Sequence, residues 1–267
     1  MEIQWSLVLF TVLTGGAGWA LGCVAVDEFT QKTKDGTNFI AAIVAIVLAA
    51  VGGIASVTHL SHPENMLAAL SHPTSGIFTE ALLVGLTAVF ALVYVILLKR
   101  NAAASARKLF AVLAAVFGIV LAFASGASYM MDAQTAWNTP LLPLAYGGTT
   151  MPLGVAVYLA VALAKHEEGL GQYFMLLLVG GAVAAITGLF YGVATGVASQ
   201  EPLLMWGLVV AVGGVVPAVC GWLGRKMPPS ALALAGVAAV ASFAGCVALR
   251  CAMWATSAVV NNFFGML

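Results

Sequence analysis

Of 267 residues, 62% are apolar and 7% charged, with a formal net charge of zero, whereas a soluble domain carries about a quarter charged residues to keep its surface wet. So few charges exclude a soluble globular surface of this size. The absence of a basic excess excludes an electrostatic footprint for nucleic acid.

A helix needs about 20 mostly apolar residues to cross the hydrocarbon of a bilayer. The first such run covers residues 5–26. Glu2 stands where a secretory leader would carry a basic residue, and no Lys or Arg occurs before Lys32. Ala20-Leu21-Gly22-Cys23 only faintly suggests a lipoprotein cleavage site, so residues 1–27 read as a retained first span. Further runs follow at 38–58, 76–98, 108–131, 143–164, 171–196, 203–223 and 231–255. The breaks between them are short and rich in Pro, Gly, Asn, Asp or charge. The pattern predicts an all-α integral membrane protein, a bundle of eight transmembrane helices forming one polytopic domain over 1–267.

Basic residues set the orientation. Lys32 and Lys34 follow span one, while Lys99, Arg100, Arg107 and Lys108 bracket the turn after span three. Lys165 follows span five, and Arg225 and Lys226 follow span seven. Nine of the ten basic residues thus sit at odd-numbered loops. Under the positive-inside rule those loops are cytoplasmic and both termini are non-cytoplasmic. The expected location is the cytoplasmic (inner) membrane.

Cys23, Cys220, Cys246 and Cys251 all fall in or at the ends of apolar runs and form no CxxC pair, so they read as small buried hydrophobes rather than metal ligands. Glycine pairs such as Gly52-Gly53, Gly180-Gly181 and Gly213-Gly214 read as close-packing positions between helices.

Ionisable groups inside spans are costly and point to function. Two stand out. Glu80 falls about one turn into span three, and Arg250 lies 19 residues into span eight, about 28 Å along at 1.5 Å per residue. Both therefore reach the outer layer, where they form either a structural ion pair or part of a site. His59 closes span two in that layer and opens the run His59-Leu60-Ser61-His62-Pro63-Glu64-Asn65. Pro63 and Glu64 suit the first turn of a short interfacial helix, and His72 follows it. His62 and His72 also fit simple wetted polar residues. His59 near a desolvated carboxylate has the means to pass protons at neutral pH.

A quinol matches these groups. Its ring is apolar, a His can hydrogen-bond one hydroxyl, and a carboxylate can accept a proton as the ring is oxidised. No span has an interior His to serve as an axial haem ligand, so no haem and no bound metal are expected. The intramembrane charges gather at one face, unlike the midplane sites of transporters.

The residues carry a family resemblance. Trp5-Ser6-Leu7-Val8-Leu9-Phe10-Thr11-Val12, Ser56-Val57-Thr58-His59-Leu60 with Pro63, Glu80 and Arg250 resemble the membrane-anchor subunit of dimethyl sulfoxide reductase-type molybdenum oxidoreductases, the DmsC-like family. The extra loop histidines, the His59-to-Glu80 spacing and Gly15-Gly16 depart from its pattern. The resemblance implies an anchor that binds exchangeable menaquinol and holds no redox cofactor. It implies two partners docked on the outer face, an iron–sulfur subunit and a molybdopterin catalytic subunit. His59 would be the quinol ligand, Glu80 its proton acceptor and Arg250 a tuner of that carboxylate, with Ser61 and His62 alongside. The alternatives are the anchor of a related molybdoenzyme with another terminal substrate, a small-solute transporter, or a tether whose polar residues serve packing.

Overall fold

The computed structural model describes residues 2–58, 71 and 74–257. Apolar runs of this length leave the backbone no water to bond with, and the helix answers by pairing every N–H and C=O within the segment. The described residues contain no strand and eight helices long and apolar enough to cross a membrane.

Six regular helices come first: α1 (Trp5–Thr30), α2 (Asp35–Val57), α3 (Gly76–Lys99), α4 (Ala104–Ala127), α5 (Leu141–Ala164) and α6 (Gly171–Thr195). A single turn, α7 (Val197–Gln200), precedes a composite span. Its first part, Leu203–Val215, winds as a wider π-helix, and its second part, α8 (Val216–Gly224), returns to α-helical pitch. The final span is α9 (Ala231–Ala255).

Two groups of helices meet along α5. On one side α1 packs against α2 and α4, and α3 packs on α4. On the other, α6 and α9 enclose the composite span. Helix α5 touches α1, α4, α6 and α9, so it and α1 are the most enclosed spans. Residues near the end of α1 meet the starts of α2, α4 and α6 and the ends of α3 and α5. Near its start, Thr11 meets Arg250 close to the end of α9. One face therefore holds Trp5 and Ala255, the terminal face, and the opposite face holds the basic loops.

The first span differs from its sequence reading. Helix α1 continues past residue 26 to Thr30 and stops at Gln31, whose left-handed φ of 49° turns its N–H back to the Asp27 carbonyl. Asp27 and Glu28 are thereby helical and buried rather than in a loop.

Close crossings rest on missing side chains. A Cβ on Gly18 would strike the Gly118 carbonyl, and one on Gly118 would come within 2.7 Å of Gly18 Cα. Gly213 and Gly245 make the same backbone contact between the π-helical segment and α9. Of the glycine pairs noted in the sequence, Gly52 packs against Thr14 and Phe10, whereas Gly53 faces open space.

The start of α2 is held from far along the chain. Glu167 Oε1 accepts hydrogen bonds from Thr37 Oγ1 at 2.6 Å and Lys34 N–H at 3.1 Å. Partial desolvation pushes this carboxyl upward, but those bonds and the nearby Lys34 and Lys165 charges outweigh it and hold the group below its usual range.

Two outcomes follow. Gly18→Leu should destabilise the detergent-solubilised protein by about 1–3 kcal/mol, the usual cost of overpacking, while Gly236→Leu, where nothing lies within 4 Å of an added Cβ, should leave the thermal midpoint unchanged. For Glu167 the folded state lowers the pKa, so its contribution is full above the unfolded value near about 4.3 and disappears as pH falls through the folded value. Glu167→Gln should therefore flatten that acid limb of the melting curve.

Candidate functional site

At the terminal face, α9 directs Arg250 inward, where its side chain has no solvent exposure. Nε donates to Thr11 Oγ1 at 3.3 Å, and Nη1 donates to Thr149 Oγ1 at 3.0 Å and to the Cys246 carbonyl at 3.2 Å. Nη2 donates to the Tyr146 carbonyl at 3.3 Å. The guanidinium also lies over the Tyr146 ring, 4.1 Å from its centroid. A buried charge needs such partners, since leaving it unpaired costs several kcal/mol. Among the described residues, hydroxyls, carbonyls and an aromatic face take the place of a carboxylate.

Glu80 enters the same layer from α3. It is half-buried, and its side chain is in hydrogen-bonding reach of Ser128 at the end of α4. Tyr146 lies within electrostatic range of both Glu80 and Arg250, and Tyr129 does as well. Among the described residues no ion pair joins Glu80 to Arg250. The direct pairing weighed from sequence is replaced by a shared neighbour, Tyr146.

An aromatic cluster backs this layer. The rings of Tyr129, Trp137 and Trp254 meet edge to face at 5.1–6.2 Å, and Tyr129 lies 5.8 Å from Tyr146. Trp137 Nε1 donates to the Met253 carbonyl at 3.0 Å, fixing the loop after α4 onto the end of α9. His59, Ser61, His62 and His72, with the short helix expected between them, lie outside the described residues. Their flanks are placed: Val57 ends α2, and Gly76 begins α3 against Ser128.

The basic face holds a second polar cluster that the sequence reading did not find. Asp27, 1% exposed, accepts from four donors: Tyr173 OH at 2.5 Å, Asn38 Nδ2 at 2.7 Å, Thr33 Oγ1 at 2.8 Å and Lys32 N–H at 3.2 Å. Tyr158 OH joins at 3.1 Å from Asn38 Oδ1. Glu28, 4% exposed, accepts from Tyr94 OH at 2.8 Å and faces Arg107 Nε at 3.7 Å. Arg107 then pairs with Asp35 at 2.6 Å. Asp27, Glu28, Asp35, Asn38 and Arg107 line a cavity of about 490 Å³. The available signal was the apolar stretch 23–26 that reaches Asp27 with no further Gly or Pro, together with tyrosines inside spans three, five and six. Among the described residues, no three His, Cys, Asp or Glu side chains gather as a metal site.

The description "DMSO reductase anchor subunit (DmsC)" matches residues 1–217. The chain belongs to this family. It is a multi-pass membrane protein and an anchor subunit of a DMSO reductase-type complex. The match spans Glu80 and the His59 segment and ends in α8, so Arg250 lies beyond it. A comparison with curated proteins finds no match.

The basic-face cluster generates a graded expectation. Tyr173→Phe should cost about 1.5–3 kcal/mol, one hydrogen bond to a charged group. Asp27→Leu, which leaves three side-chain donors and a backbone N–H without their acceptor, should cost well over twice that, read as a lower thermal midpoint of the purified protein.

Proposed function

We propose that this anchor subunit oxidises menaquinol at its terminal face and passes the electrons to an iron–sulfur cluster on a partner. The observation that carries the reading is that Glu80 and Arg250, from spans three and eight, both lie within electrostatic range of Tyr146 at the terminal face, where α2 also ends. That end leads, two residues on, to His59.

In this reading the quinol ring lies between the end of α2 and the start of α3. His59 hydrogen-bonds one hydroxyl, with Ser61 and His62 alongside, and Glu80 accepts a proton from the site. Oxidation converts the quinol to the quinone with loss of two protons and two electrons. The electrons leave to the iron–sulfur subunit, which feeds the molybdopterin subunit where the terminal substrate is reduced in anaerobic respiration. The protons leave at the terminal face. Arg250 does not pair with Glu80. It positions Tyr146 by bonding its carbonyl and covering its ring, and it fixes α1, α5 and α9 around the site.

In this reading the terminal face is the outer side of the cytoplasmic membrane, which the basic loops at the opposite face support, and both partners dock there. Proton release and electron delivery then occur on the same side, and the subunit by itself moves no charge across the bilayer.

In the assembled complex, Glu80→Gln and His59→Ala should each lower menaquinol-dependent turnover by about 10²-fold or more, the scale of a lost general base. Turnover with a soluble dye donor that bypasses the membrane subunit should stay unchanged. Wild-type menaquinol turnover in both variants would overturn the proposal.

A further inference from the structure

Helices α2 and α3 meet only loosely, in contrast to the close packing of α1 on α2 and of α3 on α4. Between them runs a lateral groove of about 310 Å³, within the range of about 300–1,000 Å³ typical of ligand sites. Its lining is entirely apolar: Ile46, Ala49, Gly53 and Val57 along α2, and Val84 and Ala88 on α3. Small residues at such a crossing normally let membrane helices close up. Here they do not: an added Cβ on Gly53 would find nothing within 4 Å among the described residues.

The groove has a direction. From Ile46 to Val57 is eleven residues, a rise of about 16 Å, so it runs from the middle of the bundle to the terminal end of α2. On α3, Glu80, Val84 and Ala88 follow at intervals of four residues and share one helix face. The strip that lines the groove therefore points, one turn beyond Val84, toward Glu80. The α2 strip ends at Val57, just before the His59 segment. The groove itself is lined by apolar side chains, and the carboxylate of Glu80 lies one helical turn beyond it.

We infer that the α2–α3 groove seats the polyprenyl tail of the quinol and is the route by which the head group reaches Glu80 from the bilayer. This rests on the quinol reading above. A tail is the occupant favoured over a bulk acyl chain because the groove runs along α3 toward the turn that carries Glu80, the carboxylate of the quinol reading. Val84 and Ala88 act as specificity-determining positions for the tail and touch no reacting atom.

The test uses the whole complex in lipid vesicles with two donors, a long-tailed menaquinol and a tail-less water-soluble naphthoquinol. Gly53→Leu fills the groove from a position with room for a side chain. It should raise KM for the long-tailed donor by about ten-fold, the scale of lost apolar contacts in a pocket, and leave KM for the tail-less donor unchanged. Ala88→Leu should repeat the effect from the facing helix, and Gly236→Leu on a lipid-facing surface of α9 should not. An unchanged KM for the long-tailed donor in both groove variants means that bulk lipid occupies the groove, and overturns the inference. An equal rise for both donors means a distorted head-group site and overturns it too. Failure of the quinol reading is read separately: Glu80→Gln would then oxidise both donors at the wild-type rate.

Discussion

The carboxylate of Asp27 accepts hydrogen bonds from α2, from α6, and from the Lys32–Thr33 turn that links α1 to α2. The next residue, Glu28, is bonded by Tyr94 of α3 and faces Arg107 of α4. Successive residues on a helix point about 100° apart, so two adjacent carboxylates serve different neighbours. A buried carboxylate without donors would be untenable in an apolar interior. Each donor therefore has a required position, and the helices that carry them are fixed around α1 at this face. Tyr158 of α5 joins the same network through Asn38.

The terminal face solves the same problem with the opposite sign. Among the described residues Arg250 is a cation without a countercharge, surrounded by two threonine hydroxyls, two carbonyls and the face of Tyr146. The planar guanidinium can satisfy this set because its donors form a fixed fork and its plane can stack on a ring. Having its own partners, Arg250 leaves Glu80 unpaired with it, and Ser128 and the tyrosines separate their roles. One residue organises α1, α5 and α9, and the other lies on α3 beside Ser128 at the end of α4.

Small residues divide between these two tasks. Where Gly18 meets Gly118 and Gly213 meets Gly245, missing side chains let backbones touch, and the bundle gains dispersion contacts that lipid would otherwise supply. At Gly53 and Ala88 the same residue types leave a gap instead. The difference lies in how the neighbouring helices cross, not in the residues.

Hydropathy and charge, read along the chain, determined the eight helical spans and the concentration of basic residues at one face. They also placed Glu80 and Arg250 in one layer, since position along a span of known rise fixes depth. The motifs around Trp5, His59 and Glu80 carried the family. The histidine segment itself lies outside the described residues, so its part in the site stands on the sequence. Tertiary structure alone decided that α1 runs on through Asp27 and Glu28, that Arg250 bonds Thr11, Thr149 and Tyr146 rather than Glu80, and that α2 and α3 stay apart. The reason is that the cost of a buried charge depends on its partners. Tyr173 is 146 residues from Asp27, and Thr11 is 239 from Arg250. No local window of sequence contains both members of either pair, and only the packed bundle brings them within bonding distance.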